Sequence, residues 1–312
     1  MGKHVVIGSG QVGAKVARLL LDQGHEVVVV TRSGSGPDGV RKVAANAADA
    51  EALTREARGA DAIYNCVNPR YHEWARDWPP ISASLLTSAE ATGAVLVMLG
   101  NLYGYGPIDG PITEDAPLAA TGTKGRVRAK MWTDALAAHQ SGRIRVTELR
   151  GSDYYGPGAL DQSYLGDRFV PKLLAGKAAQ FPGDPDMPHS WTYLTDAARA
   201  LVTAATDERA WGRAWHIPTA PAVSARAVAA RIAELAGTAA PRITRVPDWV
   251  MKIMGLAVPL MRELGETRYQ FNLPFVLDSS AFETTFGLAP TPLDEGLKET
   301  IGWWREQAAT RG

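Results

Sequence analysis

Short apolar runs separated by helix-like stretches dominate the first half of the chain. The stretches between the runs carry apolar residues at helical spacing, most clearly at residues 49–58 and 79–92. The segment from residue 66 to the second of these helices is predicted to be a connecting loop. The predicted strands cover residues 4–7, 26–31, 40–44, 61–65, 94–99 and 143–150. Strands that alternate with helices in this way predict an α/β fold with a doubly wound parallel sheet.

A glycine-rich turn follows the first predicted strand and opens the first predicted helix. Its six residues are Gly8, Ser9, Gly10, Gln11, Val12 and Gly13. Glycines at the first, third and sixth positions let the backbone turn sharply, approach a pyrophosphate and pack the helix against the strand. The helix N-terminus adds N–H groups and the positive end of a dipole. Because a second strand follows at the spacing of a βαβ unit, the turn predicts a dinucleotide site in a Rossmann-type fold.

The end of the second predicted strand indicates which dinucleotide is bound. A carboxylate at this place would bind the adenosine 2′-hydroxyl and repel a 2′-phosphate. The chain instead has Thr31, Arg32 and Ser33, a guanidinium between two hydroxyls. A guanidinium can grip two phosphate oxygens at once, which favours NADP(H) over NAD(H). The alternatives are that Arg32 is a solvated loop residue or that it stacks on the adenine.

Two other strand ends are expected to line the cofactor crevice, which lies at the carboxyl edge of such sheets. Asn46 follows the third strand, where a polar side chain can meet the adenine edge. The fourth strand ends in Cys66, Val67 and Asn68. Cys66 is interpreted as a small wall residue near the cofactor rather than as a nucleophile, since no histidine partner is apparent nearby.

The pattern changes after residue 151. Loops rich in glycine, proline and aromatic residues follow, with predicted helices at 195–205, 224–236 and 293–308. We expect residues 1–150 to form the NADP-binding Rossmann domain. Residues 151–312 are expected to form mainly a substrate-binding portion, with some segments returning to the sheet. The methionine-rich segment 249–264 is interpreted as core packing or a pocket wall rather than a membrane anchor.

Composition excludes several classes of function. The chain has 312 residues, with 33 Lys and Arg against 33 Asp and Glu, so nothing favours a nucleic acid or an anionic membrane as partner. The single cysteine excludes an intrachain disulfide and a cysteine-rich metal site. The longest uncharged run, 94–108, is too broken by glycines to span a membrane. Because the first strand starts near residue 4, no cleavable signal sequence is expected, and we predict a cytoplasmic protein. We also predict a small-molecule substrate and no metal.

Further motifs occur along the chain in a fixed order. They read L-Y-G at 102–104, P-I-T-E-D-A-P at 111–117, L-R-G-S-D-Y-Y-G-P-G at 149–158, W-T-Y-L-T-D at 191–196 and W-H-I-P at 215–218. Together they resemble the extended short-chain dehydrogenase/reductase superfamily, of the NAD-dependent epimerase/dehydratase type. The glycine turn departs from the GxxGxxG of that family, because Ile7 replaces its first glycine. The resemblance also implies a homodimer formed through helices packed on the sheet.

The resemblance implies catalytic residues that this chain lacks. The family uses a Ser or Thr three residues before V-Y-G and a Tyr-x-x-x-Lys pair on the next helix. In that pair the tyrosine is the acid/base. The lysine lowers the pKa of the tyrosine and holds the nicotinamide ribose. Leu99 stands at the hydroxyl position, and Lys124 and Arg128 stand at or next to the positions of the pair. One helical turn separates Lys124 from Arg128, so both can face the same side.

Several residues are candidates for the missing proton donor. A buried Lys124 can donate a proton; the alternatives are a solvated lysine at the helix entrance or a contact to a cofactor phosphate. Arg128 can hydrogen-bond the ribose, but its guanidinium does not release a proton. Tyr103 is the first choice among the tyrosines, the alternative being that it only shapes the pocket. The remaining candidates, all expected in loops near the crevice mouth, are Tyr105, Asp153 and Tyr154.

The substrate side departs from the family as well. Sugar-nucleotide members of the family carry Arg-Asp before the F-x-Y-V motif, and that arginine places a cation on the diphosphate. This chain instead has Pro188, His189 and Ser190 before Trp191. We interpret this as favouring a relatively apolar substrate that is not a nucleotide. His189 is either a hydrogen-bonding group of the pocket or a structural histidine whose partners are satisfied.

Three functions follow from these residues. The first is an NADP(H)-dependent oxidoreductase that reduces a carbonyl, enone or imine group of a small, relatively apolar organic substrate. The second is a sugar-nucleotide epimerase or dehydratase with retained NAD. The third is a non-catalytic regulatory protein that senses NADP(H), since a fold does not by itself establish an activity.

Overall fold

The computed structural model describes residues 1–246 and 265–311, and the chain divides into two compact units. The first unit comprises Met1–Gly106, Glu114–Gly151 and Ala197–Ile217. The second comprises Pro107–Thr113, Ser152–Asp196 and the described residues from Pro218 onward. The methionine-rich segment 249–264, which is interpreted from the sequence as core packing or a pocket wall, lies outside the described residues.

The strands are numbered along the chain. They are β1 (Lys3–Ile7), β2 (Glu26–Thr31), β3 (Arg41–Ala44), β4 (Ala62–Asn65), β5 (Val95–Asn101), β6 (Val146–Gly151), β7 (Asp153–Tyr155), β8 (Ala179–Phe181), β9 (Trp191–Tyr193), β10 (Ala214–His216) and β11 (Ile243–Arg245). In the first unit, a seven-stranded sheet has the order β10, β6, β5, β4, β1, β2, β3. Every neighbouring pair in it is parallel, which confirms the predicted doubly wound α/β fold.

The helices are also numbered along the described chain. They are α1 (Gly13–Asp22), α2 (Ala50–Ala57), α3 (Trp74–Thr92), α4 (Thr123–Gln140), α5 (Val170–Leu174), α6 (Leu194–Thr206), α7 (Ala225–Ala236), α8 (Tyr269–Asn272), α9 (Ser280–Phe286) and α10 (Leu293–Arg311). Asp49 and Ser224 cap α2 and α7, because each side chain accepts a hydrogen bond from an N–H group three residues on. Within the described ranges, none of the helices combines the length and the hydropathy that crossing a bilayer requires.

The core of the first unit packs the central strands against α2, α3 and α4. Val5, Val28, Ile63 and Leu96, one from each of four neighbouring strands, are fully buried. Burying each such side chain contributes about 1.5–3 kcal/mol of transfer free energy. Because these strands are parallel, the residues that follow them lie along one edge of the sheet, and the candidate site is built there.

The predicted start of α3 at residue 79 is wrong. The helix begins at Trp74 and continues through Pro79 and Pro80. Proline inside a helix removes a backbone hydrogen bond and crowds the preceding turn. Trp74 and Trp78 are both buried in the core, and burial of these two indoles one turn apart offsets that cost.

The described residues of the second unit form two small parallel pairs of strands. One joins β7 to β9, and the other joins β8 to β11. Its core is aromatic and includes Tyr155, Phe181, Trp191 and Phe271. Loops were predicted to follow residue 151, but residues 153–155 form strand β7 and pair with β9, and Tyr155 of this strand is buried in the core.

A buried histidine lies at the amino end of β1, at the opposite end of this strand from the glycine turn. His4 is 1% exposed, and its ring nitrogens lie 3.2 Å from His25 Nδ1 and 3.2 Å from the Tyr64 hydroxyl. Burial, followed by the charge of His25, lowers the pKa of His4 to about 4, against a weaker opposing effect of Asp61. The unfolded chain therefore binds a proton at this residue at a higher pH than the native protein does.

We expect this histidine to make the protein acid-sensitive. Between pH 6.5 and about 4 His4 is protonated in the unfolded state but stays neutral in the native state. The free energy of unfolding therefore falls as the pH falls. The lost stability is about 3 kcal/mol, and the loss levels off below the native pKa. Urea unfolding across this pH window should show a flatter dependence for His4→Gln. His72→Gln, which removes an exposed histidine, should leave the wild-type slope; equal slopes in all three proteins would contradict the assignment.

Candidate active site

The glycine turn between β1 and α1 is closely packed at two of its three glycines. Gly8 has a φ of +92°, and a Cβ there would lie 2.7 Å from the Cys66 carbonyl oxygen. A Cβ on Gly13 would lie 2.0 Å from the Gly8 carbonyl oxygen. Both positions therefore require glycine for reasons internal to the fold. A Cβ on Gly10 would have nothing within 4 Å in the described parts of the chain, so packing among these residues does not require the glycine there.

The polar groups around this turn fit a dinucleotide. Two buried side-chain atoms, Gln11 Oε1 and Asn65 Nδ2, lack a hydrogen-bond partner within the described parts of the chain. The N-cap residue of α1, Val12, offers no side-chain hydrogen bond to the first amide groups of the helix. Open space at Gly10, in front of a helix N-terminus, is what a pyrophosphate needs. Gly8, Gly10 and Gly13 would hold that group when the cofactor binds.

Arg32 immediately follows β2, and its side chain is exposed. The hydroxyl groups of Thr31 and Ser33 form hydrogen bonds within the same turn. The pKa of the Asp77 carboxyl is lowered, first by its hydrogen bond with Arg76 and, to a smaller extent, by the positive charge of Arg32. The exposed guanidinium therefore lies within electrostatic range of a carboxylate of α3.

The other strand-end residues lie at the same edge of the sheet. Asn46 is exposed, and its Oδ1 accepts a hydrogen bond from the N–H group two residues on. Val67 donates its N–H to Asn65 Oδ1 at 3.3 Å, and the neighbouring Asn68 is exposed. Cys66 packs under the glycine turn, and burial raises the pKa of its thiol to about 12. A thiol that stays protonated is a poor nucleophile, so its geometry agrees with a wall residue.

Helix α4 places two buried cations in the first unit. Lys124 is 1% exposed and Arg128 is 8% exposed, so the predicted pair does share the inner face of the helix. The Arg128 guanidinium lies 4.3 Å from the ring centre of Trp78 and 4.7 Å from that of Trp74. It also donates a hydrogen bond to the carbonyl oxygen of Leu99 at 3.3 Å. The Arg128 guanidinium therefore contacts both indole rings, at distances typical of cation–π contacts.

The start of α4 and the loop after β5 are in close contact. A Cβ on Gly125 would lie 2.5 Å from the Tyr103 carbonyl oxygen, so the start of α4 presses directly on this loop. The Lys124 ammonium nitrogen lies 4.6 Å from the ring centre of Tyr71. The half-buried ring of Tyr103 contacts the rings of Tyr71 and Trp74, with centre separations of 6.3 Å and 5.9 Å. The ring that faces Lys124 thus belongs to a cluster of three aromatic residues, Tyr71, Trp74 and Tyr103.

Tyr105 does not lie at a crevice mouth, and the prediction that it does is wrong. Its side chain is 1% exposed, and burial raises the pKa of its hydroxyl. Arg150 donates a hydrogen bond to that hydroxyl at 2.7 Å, and His216 Nε2 lies 2.8 Å from it. Arg150 also donates to Glu148 Oε2 at 2.7 Å. Tyr105 belongs to a buried polar network rather than to a surface that substrate can reach.

Asp153 and His189 form a pair in the second unit. Asp153 Oδ2 lies 2.7 Å from His189 Nε2, and the Gln270 carbonyl oxygen lies 3.1 Å from Nδ1. The imidazole is buried and stacks on Phe271, with ring centres 5.1 Å apart. Partners on both nitrogens agree with a structural histidine. Tyr154, next to Asp153 in β7, is half-buried.

The sequence pattern missed the aromatic residues that surround the two cations. Tyr71 lies in a short 3-10 turn, Tyr71–Glu73, and Trp74 and Trp78 lie in the first turns of α3. The signal that could have identified them is the spacing of the two tryptophans, four residues apart, which is helical.

The first unit, with its parallel sheet and glycine turn, is a Rossmann-type α/β structure. The family model described as "NAD dependent epimerase/dehydratase family" matches residues 5–217. This match spans more than half of the chain, and the chain therefore belongs to the NAD dependent epimerase/dehydratase family. The resemblance noted in the sequence motifs is confirmed. No curated protein sequence matches the chain significantly.

Solved structures share the fold over nearly the whole chain. A double mutant of DesIV, the dTDP-glucose 4,6-dehydratase from Streptomyces venezuelae, is 23% identical with a TM-score of 0.80, covering 99% of this chain and 98% of the other. The UDP-glucose 4-epimerase of Thermotoga maritima is 19% identical with a TM-score of 0.80, and the match covers 98% of this chain and 99% of the other. The UDP-glucuronic acid 4-epimerase of Bacillus cereus, described with UDP-glucuronic acid and NAD, is 16% identical with a TM-score of 0.79, covering 98% and 99%. At these identities the likeness establishes the fold alone.

Proposed function

We propose that this chain is a nicotinamide-dinucleotide-dependent oxidoreductase of the epimerase/dehydratase type in which Lys124 transfers the proton. The observation that carries the proposal is a lysine, 1% exposed, on the helix that follows β5 and one turn from a second buried cation. Membership in the family supports the class of enzyme. A bound nicotinamide supplies or accepts a hydride, and such a reaction also needs a group that exchanges a proton with the substrate.

The residues of α4 differ in what they can do. Lys124 can release and regain a proton, whereas Arg128 keeps its positive charge throughout. Arg128, held by two indoles, supplies a fixed charge one turn from Lys124. Leu99, two residues before the end of β5, has no hydroxyl that could bind a substrate oxygen. In this proposal Lys124 therefore takes over the proton transfer that a tyrosine performs elsewhere in the family.

The first candidate substrate is a sugar nucleotide, processed with a retained cofactor. Support comes from the family and from solved structures described as a dTDP-glucose dehydratase and as epimerases of UDP-glucose and UDP-glucuronic acid. These comparisons favour the sugar-nucleotide class over the apolar carbonyl substrate that the sequence pattern ranked first.

The second candidate is reduction of a carbonyl, enone or imine with exchangeable NADP(H). The observation that favours it is the pair formed by Asp153 and His189. The imidazole is engaged by a carboxylate, and the Asp153 side chain remains 14% exposed. A carboxylate repels a diphosphate, which makes this part of the second unit better suited to an uncharged substrate.

One set of measurements separates these candidates. The purified protein would be denatured, and any released dinucleotide would be identified by mass spectrometry, before titration with NADPH, NADH and nucleoside diphosphate sugars. Retained NAD and saturable binding of a sugar nucleotide would support the first candidate. Freely exchanging NADPH and turnover with a carbonyl, enone or imine would support the second. Tight cofactor binding without turnover of any substrate would contradict the proposed chemistry and support a sensing role.

The NADP(H) preference has its own test at Arg32. Changing Arg32 to Ala should weaken NADP(H) binding by about 10- to 100-fold and NAD(H) binding much less, since only NADP(H) carries the 2′-phosphate. Lys42→Ala, which removes an exposed cation of the neighbouring strand β3, should change neither affinity. Isothermal titration would measure all of these constants. Equal losses for both dinucleotides at Arg32 would refute the phosphate role.

A further inference from the structure

A buried polar network of the first unit takes no part in the proposed proton transfer. Its members are Tyr105, Glu148, Arg150 and His216. Because a guanidinium only donates, the Tyr105 hydroxyl accepts a hydrogen bond from Arg150 at 2.7 Å and has its own proton left for His216 Nε2, 2.8 Å away. This one hydroxyl therefore ties the loop after β5 to β6 and β10, the next two strands of the sheet.

The Arg150 guanidinium is itself held in place by a carboxylate. It donates a hydrogen bond to Glu148 Oε2 at 2.7 Å, and both side chains are almost completely buried. A Cβ on Gly100 would lie 2.7 Å from Glu148 Oε1, so β5 packs closely against this carboxylate. Separating two buried charges is costly, because each would be left without its partner. Arg150 is thus a fixed anchor for the Tyr105 hydroxyl.

The loop that this hydroxyl anchors packs on the start of α4. The Gly104 carbonyl oxygen accepts a hydrogen bond from the N–H group of Ala120, which lies shortly before the helix. A Cβ on Gly125 would lie 2.5 Å from the Tyr103 carbonyl oxygen, so the backbones of loop and helix touch directly. A shift of the loop therefore displaces the first turn of α4, which carries Lys124.

We propose that Tyr105 is a positioning residue: its hydroxyl fixes the loop after β5 and, through this loop, the place of Lys124. Without the hydroxyl, Arg150 and His216 lose a buried partner, and the loop is free to shift. Proton transfer is sensitive to such shifts, since a misplacement of about 1 Å can lower a rate by about 100-fold. This inference rests on the proposed role of Lys124 in proton transfer.

Hydrogen–deuterium exchange tests the coupling of loop and helix without requiring turnover. Tyr105→Phe removes the hydroxyl and keeps the ring, so packing changes little. Peptides that cover residues 102–106 and the first turns of α4 should both exchange at least about 10-fold faster than in the wild type. Rates are taken relative to a peptide of β2, so that a general loss of stability cancels. If Tyr105→Phe does not fold, His216→Met removes one partner of the hydroxyl and should have the same effect.

Tyr64→Phe is the matched control for the loss of a buried hydroxyl. Tyr64 is a fully buried tyrosine of the first unit, and its hydroxyl lies 3.2 Å from His4 Nδ1. Its loss should not raise the relative exchange of either peptide. In steady-state turnover, Tyr105→Phe should lower kcat by about 10- to 100-fold and leave cofactor affinity unchanged, whereas Tyr64→Phe should change neither. A merely structural role of Tyr105 would leave kcat of the folded variant unchanged.

Three results would overturn the proposal. Unchanged exchange of residues 102–106 in Tyr105→Phe would mean that the network does not anchor the loop. Faster exchange of the loop alone would mean that loop and helix are not coupled. An unchanged kcat in Tyr105→Phe, when Lys124→Met is inactive, would mean that the position of Lys124 does not depend on this network. Failure of the proposed function would appear separately, as full activity in Lys124→Met.

Discussion

Replacing Lys124 by methionine should lower kcat by about 10²- to 10⁴-fold, the range that a positioned acid or base contributes. Methionine has a similar length and is apolar, so it can remain under the Tyr71 ring without leaving a cavity. The variant should therefore fold and bind cofactor like the wild type. Steady-state turnover of the substrate identified by the titrations would measure the loss, with thermal melting as the check on folding.

Two companion variants separate proton transfer from charge. Lys124→Arg keeps the positive charge but cannot release a proton, so its kcat should fall nearly as far as that of the methionine variant. Lys130→Met removes an exposed lysine of the same helix, paired with Asp134, and should leave kcat unchanged. Full activity in Lys124→Arg would mean that the residue acts only as a fixed charge. Full activity in Lys124→Met would remove it from the mechanism.

The fold could be predicted from the sequence because its main signals are local. The apolar runs of β1, β2 and β4 and the glycine turn each occupy a few consecutive residues, and the observed bounds differ from the predicted ones by few residues. Strand β10 was not predicted, since three residues are too short for a periodic pattern. The start of α3 was misplaced because burial of two indoles, a tertiary effect, outweighs the local preference of proline.

The candidate site could be predicted only in part. The spacing of Lys124 and Arg128 correctly placed both on one face of α4, because helical periodicity is a property of the segment itself. The partners of these cations come from other segments, Tyr71 from a turn and Trp74 from α3, and a single sequence does not pair distant positions. Tyr105 was misjudged for the same reason, since its partner His216 lies far along the chain.

The glycine turn shows how one motif combines two different constraints. Gly13 is required by the fold, since its Cα faces the Gly8 carbonyl oxygen at a distance that leaves no room for a Cβ. A Cβ on Gly10 would meet nothing within 4 Å among the described residues, so packing within the fold does not require glycine there, whereas the cofactor of the proposed function does. A sequence motif does not distinguish these two cases, whereas the positions of the neighbouring atoms do.

Gly13→Ala and Gly10→Ala should consequently fail in different ways. The Cβ of Gly13→Ala would lie 2.0 Å from a backbone oxygen, and separating α1 from β1 to relieve this contact should cost about 3 kcal/mol in the free energy of unfolding. Gly10→Ala should change stability by about 0.5 kcal/mol or less but weaken dinucleotide binding by about 100-fold, because its methyl group occupies the space in front of the helix N-terminus. Urea unfolding and cofactor titration measure the two effects.

A third glycine provides the matched control for the mutation itself. Gly302 lies within α10, and a Cβ there would have nothing within 4 Å. Gly302→Ala should leave cofactor binding unchanged and stabilise the helix by up to about 1 kcal/mol, since alanine loses less backbone entropy. If Gly10→Ala binds the dinucleotide as tightly as Gly302→Ala does, the open space at Gly10 is not where the pyrophosphate lies. The glycine turn would then be a feature of the fold alone.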